Sequence, residues 1–495
     1  MQAPYVDWIA RYAQRQPTRP AVHDLASDRR LDYRRFDARI DALAHHLVTE
    51  RGVLPGARLA ILAYNTSDVF ELQFACWRIG ALFLPLNFRL ATPELEAILR
   101  EAEPSLLVLD RALSGLLPAP PLPVLITDGL GGDSPYEDAL RVGGKLEGRV
   151  PSGLFDTSGL MFTAGTTGQP KGARITHAMN FYNAVNLSIP ARITRDSIHL
   201  AAMPLFHTGG LNCYANVVFH AGGLVRVMRS WDPALALNYL GDRALGITHF
   251  FGVPAHYLAM AELQAFERAE LRLITAGVGG APCPVAMLER WSAKGVPIQQ
   301  GYGLTESGPT VLVLDTEDAA RKLGSAGLPA LHAEVELHTL EGERIDEPEV
   351  VGEIWVRGPG VTPGYFGHPP LPDGWLKTGD AARRDADGYY FIVDRWKDMY
   401  ISGGENVYPA EVENVLYQVE GVVEAAVIGV PDERWGEVGR AFVVRRTGSS
   451  LDAEQLLAAC RRSLAKYKVP RSVVFLDALP KNAAGKIQKR ALPKS

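Results

Sequence analysis

Met161–His177 reads MFTAGTTGQPKGARITH: Gly165 and Gly168 enclose Thr166 and Thr167, and Gln169-Pro170 stand between that group and Lys171. These are the parts of a loop that grips phosphate. Glycines let backbone N–H groups turn inward, threonine hydroxyls add donors, and an ammonium supplies a point charge. Pro170 stiffens the exit. The nucleotide-binding loop G-x-x-x-x-G-K-[ST] has a different spacing, since here two residues precede the lysine and Gly172 follows it. A P-loop nucleoside triphosphatase is excluded. Taken alone, the stretch also fits a polar surface turn.

Working outward, the chain alternates. LAILAY from Leu59 is a short apolar run, DVFELQFACWRIGA has helical periodicity, and LFLPLN is apolar again. Thr92-Pro93 fits an N-cap followed by proline at the first helical position, opening PELEAILREA, and SLLVLD comes next. Strands alternating with helices predict α/β architecture with mostly parallel sheets to about Ile298. After Val335 the short runs VVGEIWVRGPG and GYYFIVDR predict a small β-rich subdomain. Beyond Asp394 the pattern becomes α+β, with helices at PAEVENVLYQ and SSLDAEQLLAACRRSLA, strands at VVEAAVIGV and SVVFLDAL, and a capping box expected at Ser449 and Asp452. The expected plan is a large N-terminal domain of residues 1–394, a hinge at 395–398, and a small mobile C-terminal domain of residues 399–495.

The 495 residues are 47% hydrophobic, enough for several cores, and the net charge of −5 argues against a nucleic-acid partner. Cys76, Cys213, Cys283 and Cys460 are widely spaced, which predicts reduced thiols in a cytoplasmic protein. Neither a signal core nor a run of membrane-spanning length is seen. Asn65-Thr66-Ser67 and Asn186-Leu187-Ser188 match the glycosylation pattern but lack a secretory context.

TAGTTGQPKG resembles the signature loop of the adenylate-forming superfamily, which includes acyl-CoA synthetases, luciferases and the adenylation domains of peptide synthetases. The usual form has Ser or Thr where this chain has Ala164. GYGLTESG (301–308), GWLKTGD (374–380), DRWKDMYISGGENVYPAEVE (394–413) and PKNAAGKIQKR (480–490) are similar to further family motifs, in the family's order. The likeness runs from about residue 5 to 490.

The resemblance implies a two-step reaction with ATP, Mg²⁺ and coenzyme A. A carboxylate attacks the α-phosphate, diphosphate leaves, and the thiol then displaces AMP from the acyl-adenylate. Thr163, Gly165, Thr166, Thr167, Gly168 and Lys171 would hold the β- and γ-phosphates. Glu306 would take the magnesium position, with Thr163 as a second contact. Thr305 would donate to the α-phosphate. Gly301-Tyr302 would flank adenine opposite Gly279, Gly280 and Ala281. Asp380 would accept both ribose hydroxyls, aided by Arg395, with Ile392 beside them. Lys486 would bridge the two reacting anions, since an ammonium lowers their repulsion. Lys397 would be the hinge, and Ser402, Gly403 and Gly404 would face the thiol arm. Residues 461–495 hold ten Lys or Arg against one acidic residue, which fits either a solvated face or attraction of coenzyme A phosphates.

MPLFHTGGLN (203–212) is expected to line the acyl pocket through Phe206, His207, Gly209 and Gly210, joined by Val253, Gly277 and Gly303, with His207 near the tunnel entrance. Phe206-His207 stand where amino-acid-activating relatives place an aspartate. An aryl or hydroxycinnamate-like acid is the expected substrate; a medium-chain fatty acid or an alicyclic, sterol-derived acid is the alternative. An inactive nucleotide-binding homologue and a phosphotransferase releasing ADP are the competing classes. HRD and DFG motifs are absent, and DTSG at 156–159 has no second copy to make an aspartic protease. A homodimer is compatible with this reading.

Overall fold

A computed structural model describes residues 7–493 apart from 165–169, 282, 340, 396–397, 403–404, 433 and 483–485. The expectations for Gly165, Thr166, Thr167, Gly168, Lys397, Gly403 and Gly404, and for the side chain of Arg395, lie outside the described residues.

The chain builds two mixed sheets with helices between and around them. One has nine strands, six of them parallel: Pro20–Asp24, Ile198–Ala201, Leu224–Val227, His249–Gly252, Thr275–Val278 and Ile298–Tyr302. The other has six strands and runs parallel from Val124–Thr127 through Leu106–Asp110, Arg58–Leu62 and Leu82–Pro85 to Thr157–Ala164. Leu106–Asp110 is buried along its whole length, as a parallel strand covered on both faces should be. A five-stranded antiparallel sheet follows, from Glu334–His338 to Tyr390–Arg395. A last sheet pairs Val422–Asp432 with Gly436–Arg445, covered by helices Pro409–Tyr417 and Ala453–Ser463.

The expected fold class is therefore the observed one, with local corrections. Helix Thr92–Ala102 is preceded by Ala91 as its cap. The Thr92 hydroxyl instead donates to the Leu116 carbonyl, while the Glu94 carboxylate accepts the Ala91 N–H at 2.8 Å. The later capping box is Asp452 with Gln455, and Ser449 belongs to the preceding turn, where its hydroxyl accepts the Leu451 N–H.

Helix Ser67–Ile79 is buried at every position, and it shares one core with strand residues of both large sheets, such as Ile61 and Val225. Its polar residues are consequently all neutralised by partners. Asp68 pairs with Arg29 at 2.5 Å, Glu71 with Arg39 at 2.6 Å, and Arg78 with Asp7 at 2.7 Å, Asp37 at 2.5 Å and Asp41 at 3.0 Å. Removing one partner of a buried ion pair strands the others in low dielectric. Arg78→Ala is expected to lower stability by about 3–5 kcal/mol, read from the urea midpoint. A loss below about 1 kcal/mol would mean that water reaches the three aspartates.

Candidate active site

Four neighbouring parallel strands end on the same edge of the nine-stranded sheet, and each hands over one part of the expected site. Ile298–Tyr302 delivers Gly301, Tyr302 and Gly303, and Thr275–Val278 leads into Gly279, Gly280 and Ala281. His249–Gly252 is followed by Val253, and Ile198–Ala201 by Met203–Gly210. Crevices at the carboxyl ends of open α/β strands are where such folds bind ligands. Within the turn after Tyr302, a Cβ on Gly303 would lie 1.6 Å from the Pro309 carbonyl oxygen, so the backbone closes there only around glycine. The 3₁₀ turn Thr305–Ser307 follows directly and keeps Thr305 buried.

The acyl segment is held by a residue that the sequence presents only as a glycosylation match. The Asn65 amide donates to the carbonyls of Met203 and Met228, and its oxygen accepts the Leu205 N–H at 2.9 Å. Asn65 and Asn186 are both buried, so neither is a glycan acceptor in the folded chain. His207 follows this clamp. The Gly209 N–H donates to His207 Nδ1 at 3.1 Å, which leaves the proton of the neutral ring on Nε2. Burial, then the nearby Lys486 and Arg89, push His207 down to about 4.

The Phe251 ring packs against three of the glycines expected at the site. Cβ atoms added to Gly209, Gly277 and Gly279 would come within 3.8, 2.9 and 3.4 Å of its ring. Gly277 also faces the Tyr214 hydroxyl, 2.4 Å from where a methyl would sit, and Tyr214 is fixed by donating to Gln299 Oε1. Gly210 instead faces the Pro204 carbonyl oxygen at 2.2 Å. Phe206 meets Phe88 edge to face at 5.1 Å.

The Gly/Thr loop joins two antiparallel strands, Thr157–Ala164 and Pro170–Thr176, with Ala164 opposite Pro170. It is a hairpin connection, physically unlike the strand-to-helix turn of a P-loop. Thr163 and Lys171 are cross-strand partners. The Thr163 hydroxyl donates to Glu306 Oε1 at 3.2 Å, and Tyr365 donates to the same oxygen at 2.9 Å. A single carboxylate flanked by hydroxyls fits Mg²⁺, which usually takes one or two carboxylates and completes its shell with phosphate and water.

On the other side, Tyr302 donates to Asp380 Oδ2 at 2.7 Å, and Asp380 is the Cα partner of Arg395 across the sheet. Ile392 packs in the same apolar cluster as Tyr302. Ser402 is buried at the end of Tyr400–Ser402.

The tail reaches the same place. Lys486 Cε and Val253 Cγ1 both lie 3.6 Å from where a Cβ on Gly280 would be. The Lys486 N–H donates to Asn482 Oδ1. Lys489 pairs with Glu413 at 2.8 Å and with Asp394 at 3.7 Å. Farther out, Arg446 forks onto Glu262 at 3.0 and 3.2 Å, and Arg290 shares that carboxylate. Tyr214, Phe251 and Tyr365 are not singled out from sequence, and Asn65 is singled out only as a glycosylation match. Their contacts are with residues distant in the chain, so no local pattern marks them.

Residues 9–366 match the model of the AMP-binding enzyme family, and residues 411–486 match that of the AMP-binding enzyme C-terminal domain. A feruloyl-CoA synthase of Amycolatopsis sp is 42% identical over 97% of each chain. An indoleacetate–CoA ligase of Aromatoleum aromaticum is 36% identical over 98% of this chain and 96% of its own. The ATP-bound structure of MatB from Rhodopseudomonas palustris superposes with a TM-score of 0.88 at 30% identity, covering 99% of this chain and 98% of that one. The chain belongs to the AMP-binding enzyme family, among its adenylate-forming acid–CoA ligases.

His177, His199, His249 and His256 are shifted downward by burial in the same direction as His207. Because folded pKa values lie below the ordinary 6.5, the unfolded chain binds more protons in that window. Stability is therefore expected to fall as pH drops from about 6.5 toward 4. In an imidazole NMR titration, His207 should show no inflection above about pH 5.5. An inflection between pH 6 and 7 would place its ring in water.

Proposed function

We propose that this enzyme activates an aryl or arylpropenoic acid with ATP and passes the acyl group to coenzyme A. The observation that carries the reading is Lys486, brought from the tail to the Gly279–Ala281 turn and to His207, where the four strand ends meet. In the first step a carboxylate oxygen attacks the α-phosphorus and the bond to the bridging oxygen breaks. Diphosphate departs, and the acyl-adenylate remains. Two anions must meet, so an ammonium between them lowers the barrier by charge neutralisation in a site poor in water. Thr305, buried beside Glu306, donates to the α-phosphate. Thr163, Lys171 and residues 165–168 restrain the diphosphate. Glu306 and Thr163 would hold Mg²⁺, which when bound spreads the charge of the phosphate oxygens.

Tyr302 and the Gly279–Ala281 turn bracket adenine, while Asp380, with Arg395 and Ile392 beside it, receives the ribose. The bond between Tyr302 and Asp380 ties these two recognition elements into one unit. In the second step the thiol sulfur attacks the acyl carbon and the carbon–oxygen bond to AMP breaks. For this step residues 399–495 would turn about 395–398, moving Lys486 away and bringing Ser402–Gly404 to the thiol arm. His207, neutral with its proton on Nε2, lines the junction of acyl pocket and thiol tunnel. The four cysteines are free and buried, which suits a cytoplasmic setting.

A flat acid is supported by the aromatic surroundings of the acyl segment, where the Phe251 ring packs close against Gly209, Gly277 and Gly279 and Phe206 meets Phe88. The names of the feruloyl and indoleacetate relatives point the same way. A diphosphate-release screen over aryl, arylpropenoic, alkyl and alicyclic acids should give the highest kcat/KM to a planar acid. A higher value for medium-chain alkyl acids would overturn the aryl reading. Lys486→Ala should cut adenylation roughly 100- to 1000-fold while leaving thiolation of supplied adenylate intact. Equal loss in both half-reactions would remove Lys486 from the assigned step.

A further inference from the structure

Tyr365 stands between two opposite charges. Its hydroxyl donates to Glu306 Oε1 at 2.9 Å, and Lys171 Nζ lies 5.7 Å from the centre of its ring. The segment around it is fixed through its backbone. Ala173 and Tyr365 form an antiparallel bridge, the Phe366 N–H donates to the Gly172 carbonyl at 2.7 Å, and the Arg174 N–H donates to the Gly364 carbonyl. On the far side the Thr362 N–H donates to the Glu306 carbonyl at 2.7 Å. Residues 362–366 thus pair alongside the strand that carries Lys171 and, at the same time, grip the turn that carries Glu306. None of these backbone anchors uses the tyrosine side chain.

Lys171 is the cross-strand partner of Thr163, whose hydroxyl already touches Glu306. A lysine so placed is within reach of the carboxylate, and in a half-buried site the attraction between them is strong. A direct pair would spend both charges on each other. An aromatic face instead offers the ammonium a weaker seat, and the phenol offers the carboxylate a neutral donor.

We propose that Tyr365 is a positioning residue, a spacer that keeps Lys171 and Glu306 from pairing so that each stays available to the triphosphate. The inference rests on the nucleotide reading above and adds a function to a side chain that reading does not use. Its consequence is specific: the damage done by removing the ring should be repaired by neutralising Glu306.

The test is calorimetric titration of ATP into the full-length enzyme without any carboxylic acid, once in EDTA and once with Mg²⁺. Tyr365→Phe keeps the ring and should bind ATP in EDTA within about 2-fold of the natural protein, with a smaller gain on adding Mg²⁺. Tyr365→Leu should weaken ATP in EDTA by about 10-fold, as Lys171 falls onto Glu306. Adding Glu306→Gln to Tyr365→Leu should bring affinity back to within about 3-fold of Glu306→Gln alone. If Tyr365→Leu costs the same factor with or without Glu306→Gln, the ring is only structural and the proposal falls. If the unaltered enzyme binds ATP and tightens with Mg²⁺ while the four variants show no such coupling, the nucleotide reading stands without the spacer. If the unaltered enzyme fails to bind ATP, both are overturned.

Discussion

Parallel pairing of four adjacent strands is the constraint on which the site depends. Strands that run the same way must end on the same edge, and their connections must leave from it. The chain therefore brings Tyr302, the Gly279–Ala281 turn, Val253 and His207 together although about 100 residues separate the first from the last. Loops alone could hold such groups only loosely. Here each lies within a hydrogen-bonded strand or no more than six residues beyond one, and its position is inherited from the sheet.

That sheet is in turn held against its neighbour by charge as well as by apolar contact. Helix Ser67–Ile79 has no solvent face, so Asp68, Glu71 and Arg78 are tolerable only because Arg29, Arg39 and the three aspartates meet them. Buried pairs of this kind add little net stability over apolar residues, and they fix which helix faces which strand. Asn65, at the entrance to the same helix, extends that registry into the acyl segment through two hydrogen bonds and to Met228 through a third. The backbone of the Met203–Leu205 segment is thus coupled to packing well away from it.

The alternation of apolar runs and helical stretches made the α/β plan legible, because parallel strands such as Leu106–Asp110 are uniformly apolar. Gly165 to Lys171 suggest a phosphate loop from composition alone, whereas the antiparallel strands on either side were not legible, since cross-strand pairing of Ala164 with Pro170 leaves no local mark. Cap positions slipped at Thr92 and Ser449 because several hydroxyl and carboxylate residues compete near a helix start, and tertiary partners decide among them. Tyr365 and Phe251 were invisible for a plainer reason. Nothing in GYFG or HFFG distinguishes an aromatic residue that touches a charge or packs on a glycine turn from one that fills a core.

Lys489 and Arg446 sit at very different distances from the proposed pivot. Lys489 meets Asp394, the residue next to it, whereas Arg446 meets Glu262 on a remote helix end. Any turn of the tail moves points near the axis little and distant points far. Under the proposed pivot the inner contact would act as a bearing and the outer one as a latch: swinging the tail would open the solvent-exposed fork on Glu262 and lift Lys486 from the Gly280 turn, while Lys489 would keep the axle in place.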